Sequence, residues 1–222
     1  MNCKYIFSQP PIFAKKFMQV VVSATNDQWN ELTDSKTDVD WVRVNDAGLF
    51  VQYDNADAFF SLKDETILPT FEALQKPIFI NSVVHTLADL KAGSNIYRIN
   101  GWSGFLNRSV WEISGVVDEH ITSILKSLDI KINKVQDEPG FITARIIAMI
   151  INEAYFAVED KVSTKMEINT AMKLGTNYPY GPFEWAEMIG PENIEALLKK
   201  LNLTDSRYKP AGLLSKEVKE NK

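Results

Sequence analysis

Asn100 and Glu112 are the polar pair in this chain whose placement could do chemistry. Both lie in RINGWSGFLNRSVWEI, residues 98–113. Glu112 sits between Trp111 and Ile113 in an apolar, strand-like run, where a solvated carboxylate is not the default. A carboxylate in such surroundings can take a proton or orient another group that does. Asn100 closes the preceding strand-like run, and its amide donates and accepts hydrogen bonds without titrating near neutral pH. The plainer readings are a strand carboxylate paired with Arg98 or Arg108, and an Asn100-Gly101 turn, a favoured turn dipeptide. The two histidines, His85 and His120, follow a strand and lie on the polar side of an amphipathic helix; both read as solvated or structural. Trp102 and Trp111 could line a pocket, although tryptophans at strand positions mostly pack.

The elements around this pair alternate. MQVVVSA (18–24) reads as a strand, and Thr25-Asn26 can cap a helix through Leu32. Further strands are expected at Trp41–Val44, 56–62, IFINSVV (78–84), NIYRIN, SVWEIS and DIKINKV (129–135). Helices are expected in ETILPTFEALQ after Asp64, in TLADLKA (86–92) and over 117–128. Strands separated by helix-length connections imply βαβ units and a largely parallel sheet. From Pro139 onward the pattern is helical. Residues 141–160 are apolar around most of the helix, which implies burial on several sides, in a bundle or at a subunit contact. Thr164 and Glu167 fit a capping box, with Gly175 expected to stop that helix. PYGPFEWAEMIG (179–190) has proline at the start of a helix and glycine at its end, and Pro191 opens the next one. The expected fold is α/β + α: a truncated Rossmann-like, mostly parallel sheet over residues 1–137, then an all-helical domain over 138–222.

Net charge is −5 and there is no basic block to track phosphates, so nucleic acid is not an expected partner. The longest fully apolar run, 146–151, is too short to span a bilayer. Pro10, Pro11 and Gln19 break up the N-terminal apolar residues, so no signal peptide is expected. The single cysteine, Cys3, cannot close an internal disulfide, which fits a reducing cytoplasm.

Three blocks then arrive in order: PGFITARIIAMIINEAYFAVEDKVST, INTAMKLGTNYPYGPFEWAEMIG and RYKPAGLL, within residues 139–214. Together they resemble the C-terminal helical domain of 3-hydroxyacyl-CoA dehydrogenases. The resemblance is thinner over 77–138 and nearly absent before that. It implies a catalytic glutamate on a strand that orients a histidine twelve positions earlier, with hydride passing to NAD. Glu112 falls on the glutamate position, but Asn100 stands where the histidine is expected. Ala144 replaces an asparagine of the family, and the family's N-T-S-S substrate loop reads Asn81-Ser82-Val83-Val84. The resemblance thus implies catalytic positions at Glu112 and Asn100 and substrate-binding positions at Asn81 and Ser82.

A dinucleotide fold needs a glycine-rich turn after its first strand, because only glycine lets the backbone approach a pyrophosphate closely. Here the turn is Thr25-Asn26-Asp27-Gln28, and the first glycine in the chain is Gly48. The α/β half is also shorter than the family's usual NAD-binding domain by tens of residues. No cofactor is therefore expected, although NAD belongs to the family. The resulting expectation is a degenerate family member lacking hydride transfer, able to bind an acyl-CoA-like small molecule, and homodimeric through its helical domain. An active oxidoreductase with a divergent site and a non-catalytic dimeric interaction module are the alternatives.

Overall fold

Val20, Val21 and Val22 point alternately to opposite faces, yet all three are fully buried, so β1 (Met18–Ser23) is covered on both sides. The same holds for β3 (Ala58–Ser61) and β4 (Ile78–Asn81). Phe60 and Phe79 stack on one face, and Phe59, Ile78 and Ile80 fill the other. With β2 (Val39–Val44), β5 (Ile96–Ile99), β6 (Val110–Ser114) and β7 (Lys131–Lys134) they form a seven-stranded sheet in the order β2-β1-β3-β4-β5-β6-β7. All neighbours are parallel except β5 and β6. The computed structural model describes residues 17–34, 36, 38–63, 67 and 69–221. Cys3 and the start of the helix expected after Asp64 lie outside them.

α1 (Asn26–Thr33) and α3 (Glu119–Ser127) cover one face of the sheet; α2 (Pro69–Ala73) and the 3-10 turn Ala47–Tyr53 lie by the other. The strand expected over 78–84 ends at Asn81, where the ladder to β5 ends, one residue past the last β3 pair at Ile80. Val83 and Val84 turn instead into the helical core. The helix expected at 86–92 is a single turn. Lys91 takes a left-handed φ of 51° there, and Asp137 accepts the Leu87 and Ala88 N–H groups.

The C-terminal part is helical throughout: α4 (Thr143–Glu159), α5 (Lys165–Thr176), α6 (Pro182–Ile189), α7 (Pro191–Asn202) and α8 (Gly212–Glu220). α4 runs through the middle, touching the other four helices. Asn152 on its buried face donates to Lys209 O and accepts from Ala211 N, which anchors the RYKPAGLL block. The Thr164–Glu167 capping box forms as expected. Gly175, however, lies inside α5, and Asn177 ends the helix in the left-handed conformation at φ 55°. Asparagine tolerates that region better than other residues with a Cβ, so it serves where glycine was expected.

Candidate functional site

The turn that opens the helical domain fixes the position of Glu112. Gly140 and Phe141 both have positive φ, 81° and 49°, and Gly140 N donates to Val83 O at 2.7 Å. Arg98, fully buried on β5, stacks on the Phe141 ring at 4.6 Å and pairs with Asp137. This double turn brings the first N–H groups of α4 onto β6. Glu112 accepts from Ile142 N and Thr143 N at 3.2 Å and from Thr143 Oγ1 at 2.6 Å. No residue of α4's own N-terminus caps it. Glu112 therefore acts as the missing cap, an anion at the positive end of the helix. It pairs with neither arginine weighed for it: Arg98 is taken by Asp137, and Arg108 stacks on Phe105 at 4.1 Å.

Asn100 and Glu112 line the same small cleft, about 30 Å3, with Phe105, Arg108, Trp111 and Thr143 among its walls. Asn100 is buried, its Oδ1 accepts from Trp102 N at 3.2 Å, and its Nδ2 has no partner. Burial pushes the Arg108 guanidinium down from its ordinary value, while the nearby Glu112 and Glu31 charges oppose that shift.

Asn81 and Ser82 lie one strand away, and their polar atoms are spent within the chain. Asn81 Oδ1 accepts from Gly101 N at 3.0 Å and its Nδ2 donates to Leu62 O at 3.1 Å; Ser82 Oγ donates to His85 O at 2.8 Å. A Cβ at Gly101 would lie 2.8 Å from that of Asn81, so only glycine permits this contact. Trp102 and Phe105 of the following loop pack into the helical core, whereas Leu106 packs against the sheet. The loop that carries Asn100 thus stitches the two halves together.

In an open α/β sheet the ligand crevice lies outside the carboxyl ends of the strands, where the strand order reverses. Here that point falls between β1 and β3. The buried Gln28 side chain bridges it, donating to Leu62 O at 2.8 Å and Gly101 O at 2.9 Å. Its Oε1 accepts Thr25 N while Thr25 Oγ1 accepts Gln28 N, so the first turn of α1 is self-capped. Glu31 holds the opposite loop, accepting from Gly104 N at 2.7 Å and Leu106 N at 3.2 Å. The described residues at this turn do not fit the pyrophosphate of NAD. They present Asp27, an amide already bonded across the crevice, and no glycine. Sequence reasoning missed Gln28 and Glu31, although the Thr25-x-x-Gln28 spacing is itself a capping-box signature. Among the described residues no cluster of histidine, cysteine or carboxylates could hold a metal, and no helix is long and apolar enough to cross a membrane.

The sequence profile described as "3-hydroxyacyl-CoA dehydrogenase, C-terminal domain" matches residues 140–222. The 3-hydroxyadipyl-CoA dehydrogenase of Escherichia coli is 43% identical over 83 residues, covering 36% of this chain and 18% of that protein. A 3-hydroxybutyryl-CoA dehydrogenase of Clostridioides difficile is 37% identical over 116 residues, covering 49% of this chain and 41% of that protein. The chain thus spans less than half the length of each of these relatives. In overall fold it resembles the (S)-3-hydroxybutyryl-CoA dehydrogenase PaaH1 from Ralstonia eutropha, with a TM-score of 0.73 at 19% identity over 93% of this chain and 95% of that one. Mycobacterium tuberculosis FadB2 gives 0.70 at 13% identity, over 92% and 94%. Residues 140–222, built on the PGF turn, are thus similar to the C-terminal domain of 3-hydroxyacyl-CoA dehydrogenases, and over the rest of the chain the likeness is one of fold.

Proposed function

We propose that this chain keeps the scaffold of its family but has lost NAD-dependent hydride transfer, while the cleft at Asn100 still takes an acyl-CoA-like ligand. The observation that carries this reading is the state of the expected dyad. Asn100 has no titratable proton, and all the polar contacts of Glu112 go to the start of α4. General-base catalysis is worth roughly 10²–10⁴-fold, so its loss removes about 3–5 kcal/mol of transition-state stabilisation. The Gln28 bridge across the switch point supports the same conclusion for the cofactor. Asn81 then serves the site by holding the loop that carries Asn100, while the Ser82 hydroxyl closes its own turn onto His85 O.

Restoring the imidazole tests this directly. Asn100→His should not reduce acetoacetyl-CoA with NADH, because the dinucleotide turn is also missing. Measurable turnover in that variant would mean that only the base had been lost and that the cofactor still binds.

The chain is further proposed to act as a cytoplasmic homodimer through its helical domain. α5 buries none of its residues, and Met166, Leu174 and, on α4, Ile146 stand exposed. Light scattering coupled to size exclusion should give twice the monomer mass at micromolar concentration; a monomer there would count against the dimer.

A further inference from the structure

We propose that Asn100 and Arg108 form a recognition site for a carboxylate. The proposal deepens the reading that this cleft still takes a ligand, and it names the chemistry of that ligand's head.

The hydrogen-bonding state of each polar wall leads there. Asn100 is buried and its Nδ2 donor has no partner. Exchanging its amide atoms does not relieve this, because Trp102 N–H would then face a donor where it now finds Oδ1. A buried, unpaired donor is costly, and a native one calls for a partner. The half-buried Arg108 stacks on Phe105, and its guanidinium hydrogen-bonds no described residue. The acceptors of the cleft are already engaged: Asn100 Oδ1 by Trp102 N, and both Glu112 oxygens by Ile142 and Thr143. Glu112's charge faces the positive end of α4, which offsets it. What remains open is a set of donors, one of them a permanent cation, and the matching ligand group has two acceptor oxygens and a negative charge. Arginine is suited to this, since its planar fork matches a carboxylate.

Size agrees. About 30 Å3 has room for one or two waters or a carboxylate head, and not for a whole acyl chain. Arg108 is also a wall of a larger pocket of about 360 Å3, whose lining includes Lys36, Asn107 and Ser109 together with Asp38 and Asp129. A longer acid seated on Arg108 has polar space beyond it.

The test uses the isotope-labelled full chain, titrated with acetate, with acetamide as the neutral isostere and with sodium chloride at matched ionic strength. The Asn100 side-chain amide and the Arg108 Nε resonances are followed to about 100 mM ligand, which reaches the millimolar affinities expected of so small a group. Acetate should give saturable shifts at both, with none from acetamide or chloride. Arg108→Met, on the rim, should weaken acetate at least about tenfold, the loss expected for one charge-assisted hydrogen bond. Asn100→Asp, which turns the donor into an anion, should abolish binding while leaving the spectrum away from the cleft unchanged. Equal shifts from acetamide, no saturation with acetate, or full acetate affinity in Arg108→Met would each overturn the site. NADH added to a separate sample distinguishes this failure from that of the broader reading, since its binding would revive the cofactor and leave the acetate result standing.

Discussion

Replacing Glu112 with alanine should destabilise the fold, because it removes the cap of α4. The N–H groups of Ile142 and Thr143 and the Thr143 hydroxyl lose their common acceptor. Ile142 is 50% exposed, so its N–H can turn to water; Thr143 is only partly exposed, and its groups rehydrate less well. Losing a helix N-cap costs about 1 kcal/mol, within a range of roughly 0.5–2. Losing an anion at a partly buried helix N-terminus adds about 1 kcal/mol more. The expected cost is therefore about 2 kcal/mol, or roughly 4–8 °C in Tm for a chain of this size. Glu112→Gln keeps one acceptor oxygen but loses the charge and replaces the other oxygen with a donor, so it should cost about 1–2 kcal/mol. Urea unfolding followed by circular dichroism reads this as a fall in midpoint at constant slope. Adding Thr143→Ala to Glu112→Ala should cost little further, since the two share one interaction. A stability for Glu112→Ala within about 0.5 kcal/mol of the parent chain, the range of a neutral surface change, would refute the capping role and return Glu112 to candidacy as a reactive carboxylate.

Gln28→Ala should cost about 2 kcal/mol in the same assay. Leu62 O keeps the bond from Asn81 Nδ2, so the loss falls on Gly101 O and on the exposed Thr25 N; Gln28→Glu should be worse, since a carboxylate would face two carbonyls. Stability should also fall in acid through Asp137. Burial works to raise its carboxyl, but bonds from Leu87 N, Arg98 and Ala88 N outweigh this and hold it below its ordinary value. A depressed folded-state value means the contribution is fully present above the unfolded value near 3.9 and is lost as pH falls below it. Asp137→Asn should flatten that part of the pH–stability curve, and an unchanged acid slope would show that the Arg98 pair contributes nothing there.

Much of this fold could be read locally. Continuous apolar runs in β1, β3 and β4 announce strands covered on both faces, and Thr164, Glu167 and Gly190 mark helix ends through contacts within four residues. What could not be read was set at a distance. The segment 86–92 carries helical spacing, but Asp137, about fifty residues on, takes its first N–H groups and Lys91 turns it off course. Gly175 is the stronger stop by type, yet the left-handed residue is Asn177, because the helix continues to Thr176. At the site, Asn100 and Glu112 are singled out by the family resemblance alone, and the structure brings the two into one cleft. Their partners were not legible: Glu112 reaches α4 thirty residues on, and Gln28 reaches Gly101 across 73 residues of chain.

The proposed loss of cofactor binding is tested most directly by calorimetric titration of the full chain with NADH. The Gln28 bridge and the glycine-free turn predict no binding tighter than about 1 mM, roughly −4 kcal/mol. Saturable micromolar binding, weakened by a bulky substitution at the end of β1, would contradict it.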